Sequence, residues 1–186
     1  MNKETLDCTW PGTDPLMIAY HNEEWGVPLH DDRKLFEFLV LEGFQAGLSW
    51  RIVLNKRENF RRAFDNFDVV KVAQYGEDKI QELMQDISIV RNQAKIRATV
   101  TNAQAFIRIQ QQYGSFDDYI WQFTDGQIIK NSIKSNADLA ARTDLSDKMS
   151  KDLLSKGFKF VGSTICYAFM QAVGMVNDHF ETCKYR

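Results

Sequence analysis

Lys156-Gly157-Phe158-Lys159-Phe160-Val161-Gly162-Ser163-Thr164-Ile165-Cys166-Tyr167 is the stretch that decides how this chain folds. Two glycines bracket a short apolar and basic turn, and both flanks carry helical periodicity, Ser146 to Lys156 before it and Ser163 to Gly174 after it. The second flank is apolar almost all round, with Ile165, Cys166, Tyr167, Ala168, Phe169, Met170, Ala172 and Val173. A helix without a polar face belongs in the middle of a protein. A turn between two helices also aims backbone N–H groups outward from the start of the second one, where phosphate binds well. Taken alone, glycines five apart between helices mean a tight turn, with Lys156 and Lys159 beside it.

Outward from this stretch the same periodicity recurs. Helices are expected over Asp31 to about Gly43, Ser49 to Phe64, Asp68 to Tyr75, Glu77 to Gln85, Arg91 to Gln112 and Phe116 to Phe123. The three prolines, at positions 11, 15 and 28, lie ahead of all of these. Alternation of period two is rare, so the fold is all-α. With 186 residues and 44% hydrophobic content, the chain can build one core, as a single 1–186 unit or two small interdigitated helical lobes. A net charge of −2 gives no global sign of a polyanion-binding protein, so any nucleic-acid contact must be local. The three cysteines have no disulfide-framework spacing, and no targeting segment or membrane span is visible, which points to a cytoplasmic, soluble monomer.

Most of the metal-capable residues sit at the two ends. Cys8 and His21 lie near one terminus, His179 and Cys183 near the other, out of three Cys and three His in all. Brought together they would form a Cys₂His₂ shell, the donor set of a structural tetrahedral zinc site with no open position for a reactive water. The alternative is a tail thiol and an ordinary surface imidazole. Cys166 reads as a small core residue, and His30, beside Asp31 and Asp32, as a solvated loop histidine.

Glu42 continues the apolar stripe of Leu35, Phe38 and Leu39, while Arg33, Lys34 and Glu37 take the opposite, solvated side. A glutamate on a core-facing stripe is costly unless it is hydrogen-bonded or lines a polar cavity. Trp10, Tyr20, Trp25 and Trp50 surround it in sequence. Flat aromatic walls and one buried carboxylate suit a flat, hydrogen-bond-donating, cationic ligand such as a purine. The competing reading is that the rings fill core and Glu42 caps a frayed helix end. Basic clusters at Arg51, Lys56, Arg57, Arg61 and Arg62, and at Arg91, Lys95 and Arg97, read as solvated helix faces or, if gathered on one side, as a surface for a DNA backbone.

Tyr20-His21-Asn22-Glu23-Glu24-Trp25-Gly26-Val27-Pro28, Leu41-Glu42-Gly43-Phe44-Gln45-Ala46-Gly47-Leu48-Ser49-Trp50, the 156–167 stretch and Val176-Asn177-Asp178-His179 together resemble the 3-methyladenine DNA glycosylase I family. The resemblance runs from Cys8 to Cys183. It implies the helix-hairpin-helix glycosylase fold, with a zinc staple joining the N- and C-terminal segments. It implies an enzyme of base-excision repair that flips out and hydrolyses 3-methyladenine from double-stranded alkylated DNA, releasing the free base. It maps the base pocket onto Trp10, Tyr20, Trp25, Glu42 and Trp50, with Glu42 the catalytic group. Structural zinc falls on Cys8, His21, His179 and Cys183, and DNA contact on Gly157, Lys159 and Gly162. The chain departs from the family pattern at Met17, where an aromatic is expected, and at Phe44, where a polar residue is common. Asp178 lies where many helix-hairpin-helix glycosylases keep a catalytic aspartate, but its reading here is an N-cap or a partner of His179. Two other readings share these features: a lesion sensor that binds alkylated DNA without cleaving it, and a zinc-stapled interaction domain.

Overall fold

A proline begins the first helix of this protein. The computed structural model describes residues 8–186, and in it Pro15 is the first residue of α1 (Pro15–Glu23). Asp14 caps it, its carboxylate accepting from Leu16 N at 2.9 Å and Met17 N at 3.4 Å. Pro at N1 loses only an N–H that would have had no partner, so the residue that breaks helices elsewhere starts this one. No helix was expected here from the sequence.

The remaining helices follow the anticipated periodicity with sharper ends. They are α2 (Asp32–Gln45), α3 (Trp50–Asn55), α4 (Arg57–Ala63), α5 (Val69–Ala73), α6 (Glu77–Gln85), α7 (Gln93–Tyr113), α8 (Phe116–Ile120), α9 (Asp144–Ser155) and α10 (Ser163–Ala172). The expected Ser49–Phe64 helix divides at Lys56, and Phe116–Phe123 ends in a 3₁₀ turn from Trp121. Asp31 caps α2 through Lys34 N, and Asn92 caps α7 through Lys95 N. Two dipeptide strands complete the fold. β1 (Ile129–Lys130) pairs in parallel with β2 (Val176–Asn177), and a further bridge joins Ile133 to Phe180. This short ladder ties the middle of the chain to its last eleven residues.

α2 is the central element. Every residue from Leu35 to Phe44 is buried, and α2 packs on α10, α7 and α3. The core is phenylalanine-rich: Phe36, Phe44, Phe60, Phe64, Phe67, Phe106, Phe116, Phe158 and Phe169 are all below 2% exposed. Full burial of one such ring stabilises the fold by roughly 1.5–3 kcal/mol. A second small cluster gathers Cys8, Ile133, Phe180 and Cys183. No helix among the described residues is long and apolar enough to cross a membrane.

The turn from α9 to α10 is pinned on several sides. Gly157 N donates to Leu154 O and Phe158 N to Leu153 O, a Schellman closure that needs the left-handed backbone of Gly157 (φ +94°). Asn102 of α7 then clasps the turn, accepting from Lys159 N at 2.7 Å and donating to Lys159 O at 3.0 Å. Val161 O accepts from Ser150 Oγ at 2.7 Å.

The basic clusters do not form a free face. Arg57 chelates Glu24 at 2.6 and 2.8 Å, joining α4 to α1. Arg61 bonds Glu37 at 2.7 Å and Glu58, and Arg97 pairs with Glu77. Glu37, expected on the solvated side of α2, is therefore buried beneath Arg61. Lys95 is buried as well, donating from Nζ to Phe44 O at 2.7 Å and to Ala46 O. A lysine amine satisfies two carbonyls left open at the end of α2, and so holds the loop that leads to Trp50.

Candidate active site

The structure brings Trp10, Tyr20, Trp25, Glu42 and Trp50 around one cavity of about 230 Å³. α1 contributes Tyr20, α2 Glu42 and α3 Trp50, while Trp10 and Trp25 lie just before and just after α1. Trp10 and Trp25 meet edge to face with centroids 5.0 Å apart, and Tyr20 leans on Trp50 at 5.1 Å. Behind them Phe38 stacks on Trp50 at 6.4 Å and fixes its plane. The outcome is a set of fixed ring faces and edges on several sides of a small void.

Glu42 is 2% exposed, and burial alone pushes its carboxyl from 4.5 to about 8. Tyr20 beside it is held well above the ordinary phenol range, first by burial and then by Glu42, so it stays a neutral hydroxyl. Among the described residues, four buried side-chain polar atoms have no partner: Trp10 Nε1, Glu42 Oε2, Trp50 Nε1 and Asp147 Oδ1. Three of these four belong to residues that line this cavity. Orphaned buried polar atoms cost roughly 1–3 kcal/mol each, and a cluster of them is what a ligand's own donors and acceptors relieve.

Residues that the sequence reading did not assign to the pocket complete the wall. Gln45 follows Glu42 by three on α2, and Ala168 and Gln171 are three apart on the buried α10. Helical spacing could have singled out Gln45 and Gln171, polar residues on otherwise apolar surfaces. Leu139 and Ala140 come from the long connection between β1 and α9, and no local signal placed them here. Met17 and Phe44 do not line the cavity. Met17 is in the core, and Phe44 packs away from it against Phe60 at 4.7 Å.

The terminal donors converge in part. The ligand atoms of Cys8, His21 and Cys183 lie within 4.8 Å of one another, and all three residues are buried. His21 Nδ1 is 2.7 Å from Asn22 Oδ1, which leaves Nε2 facing Cys183 Sγ at 3.8 Å. Cys8 Sγ accepts from Phe180 N at 3.3 Å, and burial holds its thiol well above the usual range. His179 stands at the edge of this group. Its Nδ1 faces Asn177 Oδ1 at 3.0 Å and its Nε2 the His21 carbonyl at 3.3 Å, while its ring meets His21 at 4.6 Å. Two soft sulfurs and an imidazole with its second nitrogen already held fit a zinc ion, which lowers the energy of buried thiolates.

Gly157, Lys159 and Gly162 sit as expected on the turn before α10. Gly162 is the N-cap without a side-chain cap bond, and a Cβ there would meet nothing within 4 Å. The amides opening α10 are thus approachable from solvent. Asp178 is neither an N-cap nor bonded to His179. It is 1% exposed and accepts from Asn131, Tyr167 and Gln171, each at 2.7 Å. His30 is exposed on a loop, as expected, and there it bonds Asp117 at 2.8 Å and stacks on Trp121 at 4.6 Å.

Comparison with known proteins agrees with this arrangement. Residues 10–186 match the methyladenine glycosylase family. A DNA-3-methyladenine glycosylase 1 of Escherichia coli K12 is 49% identical over 176 residues, covering 95% of this chain and 94% of its own. A DNA-3-methyladenine glycosylase of Haemophilus influenzae is 42% identical over 179 residues, covering 96% and 97%. Among solved structures, a 3-methyladenine DNA glycosylase I superposes with a TM-score of 0.93 at 48% identity, covering 96% of this chain and 98% of its own. The Staphylococcus aureus 3-methyladenine DNA glycosylase I, described in terms of 3-methyladenine recognition, superposes with a TM-score of 0.93 at 36% identity, covering 96% and 95%. With matches of this extent around a cavity of this chemistry, the chain belongs to the methyladenine glycosylase family.

Proposed function

We propose that this protein is a DNA repair glycosylase that excises 3-methyladenine from alkylated double-stranded DNA, leaving an abasic site. The observation that carries the reading is the aromatic cavity whose lining residues carry three of the four orphaned polar atoms among the described residues, Glu42 Oε2 among them. A base stacked in a duplex cannot reach such a pocket, so the nucleotide is flipped out at a cost of roughly a few kcal/mol. Alkylation at N3 makes adenine cationic, which weakens its glycosidic bond and makes it a good leaving group. Ring faces attract that cation by roughly 0.5–2 kcal/mol per good contact. A buried carboxyl poised near pH 8 ionises readily once a cation lies beside it, and it accepts from the exocyclic amine. Water then attacks the sugar and the base leaves as free 3-methyladenine.

The α9–turn–α10 unit serves as the hairpin that holds the DNA backbone through Gly157, Lys159 and the open amides at Gly162 and beyond. A structural zinc would be held by Cys8, His21 and Cys183, with His179 as the fourth donor. When bound it supplies cross-linking between the two chain ends, and no chemistry at the base. The whole 1–186 chain works as a single unit, a cytoplasmic monomer.

The test is release of 3-methyladenine from methylated duplex DNA in a single turnover. The wild type frees the base, and Glu42→Gln loses that release or its selectivity. A wild type that binds methylated DNA yet frees no base would instead be a lesion sensor.

A further inference from the structure

Among the described residues, Gln171 is the one cavity-lining side chain tied to a buried hydrogen-bond network behind the wall. Its Nε2 lies 2.7 Å from Asp178 Oδ2. The same oxygen accepts from Tyr167 Oη at 2.7 Å, and Oδ1 accepts from Asn131 Nδ2 at 2.7 Å. Asn131 Nδ2 also reaches Tyr167 Oη at 3.3 Å. The Gln171 backbone is held too, since its carbonyl accepts from Gly26 N at 2.8 Å.

This network decides which end of the Gln171 carboxamide meets the ligand. A carboxylate accepts and does not donate, so only the NH₂ end of Gln171 can face Asp178. Oε1 is then the end left for the cavity, an orientation that carboxamides free of such a partner do not fix. Glu42 presents a second acceptor from α2, on the other element that walls the cavity.

Resting on the glycosylase reading above, we propose that Gln171 is a specificity-determining residue, locked by Asp178 so that it shows the flipped base an acceptor only. Two acceptors suit an adenine-type edge, whose exocyclic amine has two hydrogens to donate. They repel a guanine-type edge, which places a carbonyl oxygen there. Discrimination between N3-alkylated adenine and N3-alkylated guanine therefore comes from Gln171 as well as Glu42. Asp178, 1% exposed, is a positioning residue in this scheme and touches no reacting atom.

The experiment measures release of 3-methyladenine and of 3-methylguanine from one sample of methylated duplex DNA, with thermal melting of each variant as a check on folding. Gln171→Leu removes the acceptor but keeps the bulk, and lowers the adenine-to-guanine release ratio by about tenfold, near the value of one good hydrogen bond. Asp178→Asn allows the carboxamide to turn its NH₂ toward the base, so the ratio falls again, now with 3-methylguanine release rising in absolute terms. A merely structural role for Asp178 would lower both rates together and leave the ratio alone. If Gln171→Leu retains the wild-type ratio while the wild type itself frees base, this inference is wrong and the glycosylase reading stands. If the wild type frees neither base, both fall.

Discussion

At the scale of single residues, Glu42 is a group whose buried environment changes its chemistry. Burial raises its carboxyl from 4.5 to about 8, so between those values the folded protein keeps a proton that the unfolded chain releases. Stability is then fully present below pH 4.5 and falls as the pH climbs toward 8. Glu42→Gln does not titrate, so its stability relative to wild type should rise from pH 5 to pH 8, by up to a few kcal/mol at about 1.4 kcal/mol per pH unit. Urea unfolding of both proteins at the two pH values checks this, and parallel pH profiles would contradict it. The sequence singled the residue out, because a carboxylate on the Leu35-Phe38-Leu39 stripe is costly, while a frayed helix end stood as the competing reading. The degree of burial was not readable, since it depends on α1, α3 and α10 closing over it.

At the scale of elements, close approach and capping set the positions of the cavity walls. Gly174, just past α10, has φ +72°, and a Cβ there would sit 2.2 Å from the carbonyl carbon of Val27. Gly174→Ala should therefore destabilise the protein by roughly 3 kcal/mol or more, since both backbone conformation and backbone contact forbid the methyl. Thermal melting measures it, and a loss below about 1 kcal/mol would show that the two segments can separate at little cost. Lys95→Met removes the donor that satisfies Phe44 O and Ala46 O. A loss of about 2 kcal/mol is expected, together with weaker binding of free 3-methyladenine, because the loop to Trp50 loses its anchor. Quenching of tryptophan fluorescence by the free base reads the second effect. Sequence periodicity found α6, α7 and α9 because each buries one apolar face, and α2 and α10 because they are apolar over most of their surface. It missed α1, where the signal is a capping aspartate and an N1 proline rather than a repeating stripe. It also missed β1 and β2, because two-residue strands carry no period and exist only through their partner across the fold.

For the whole molecule, the chain ends act as one part. α1 turns Tyr20 into the base cavity and the next residue, His21, toward Cys8 and Cys183, while Trp10 follows Cys8 by two and meets His21 at 5.5 Å. Metal analysis of the purified protein should return about one equivalent of zinc. Cys8→Ser should lose it, melt at a lower temperature, and bind free 3-methyladenine more weakly because Trp10 is released. A metal-free, fully stable wild type would remove the staple from the scheme. The composition excluded a globally basic DNA-binding surface, and several of the local basic residues are already engaged: Lys95 is buried under the end of α2, Arg57 and Arg61 join helices, and Arg97 pairs with Glu77 at the surface. The helical class, the turn before α10 and the identities of the aromatic and carboxylate residues were legible without coordinates, because each is encoded in local spacing or in a residue type out of place. It took the folded chain to line the cavity with Gln171 and set Asp178 behind it, to close the wall with Leu139 and Ala140, and to gather three of the four terminal donors with His179 at their edge. Those are contacts between elements far apart in the chain, and no local pattern encodes them.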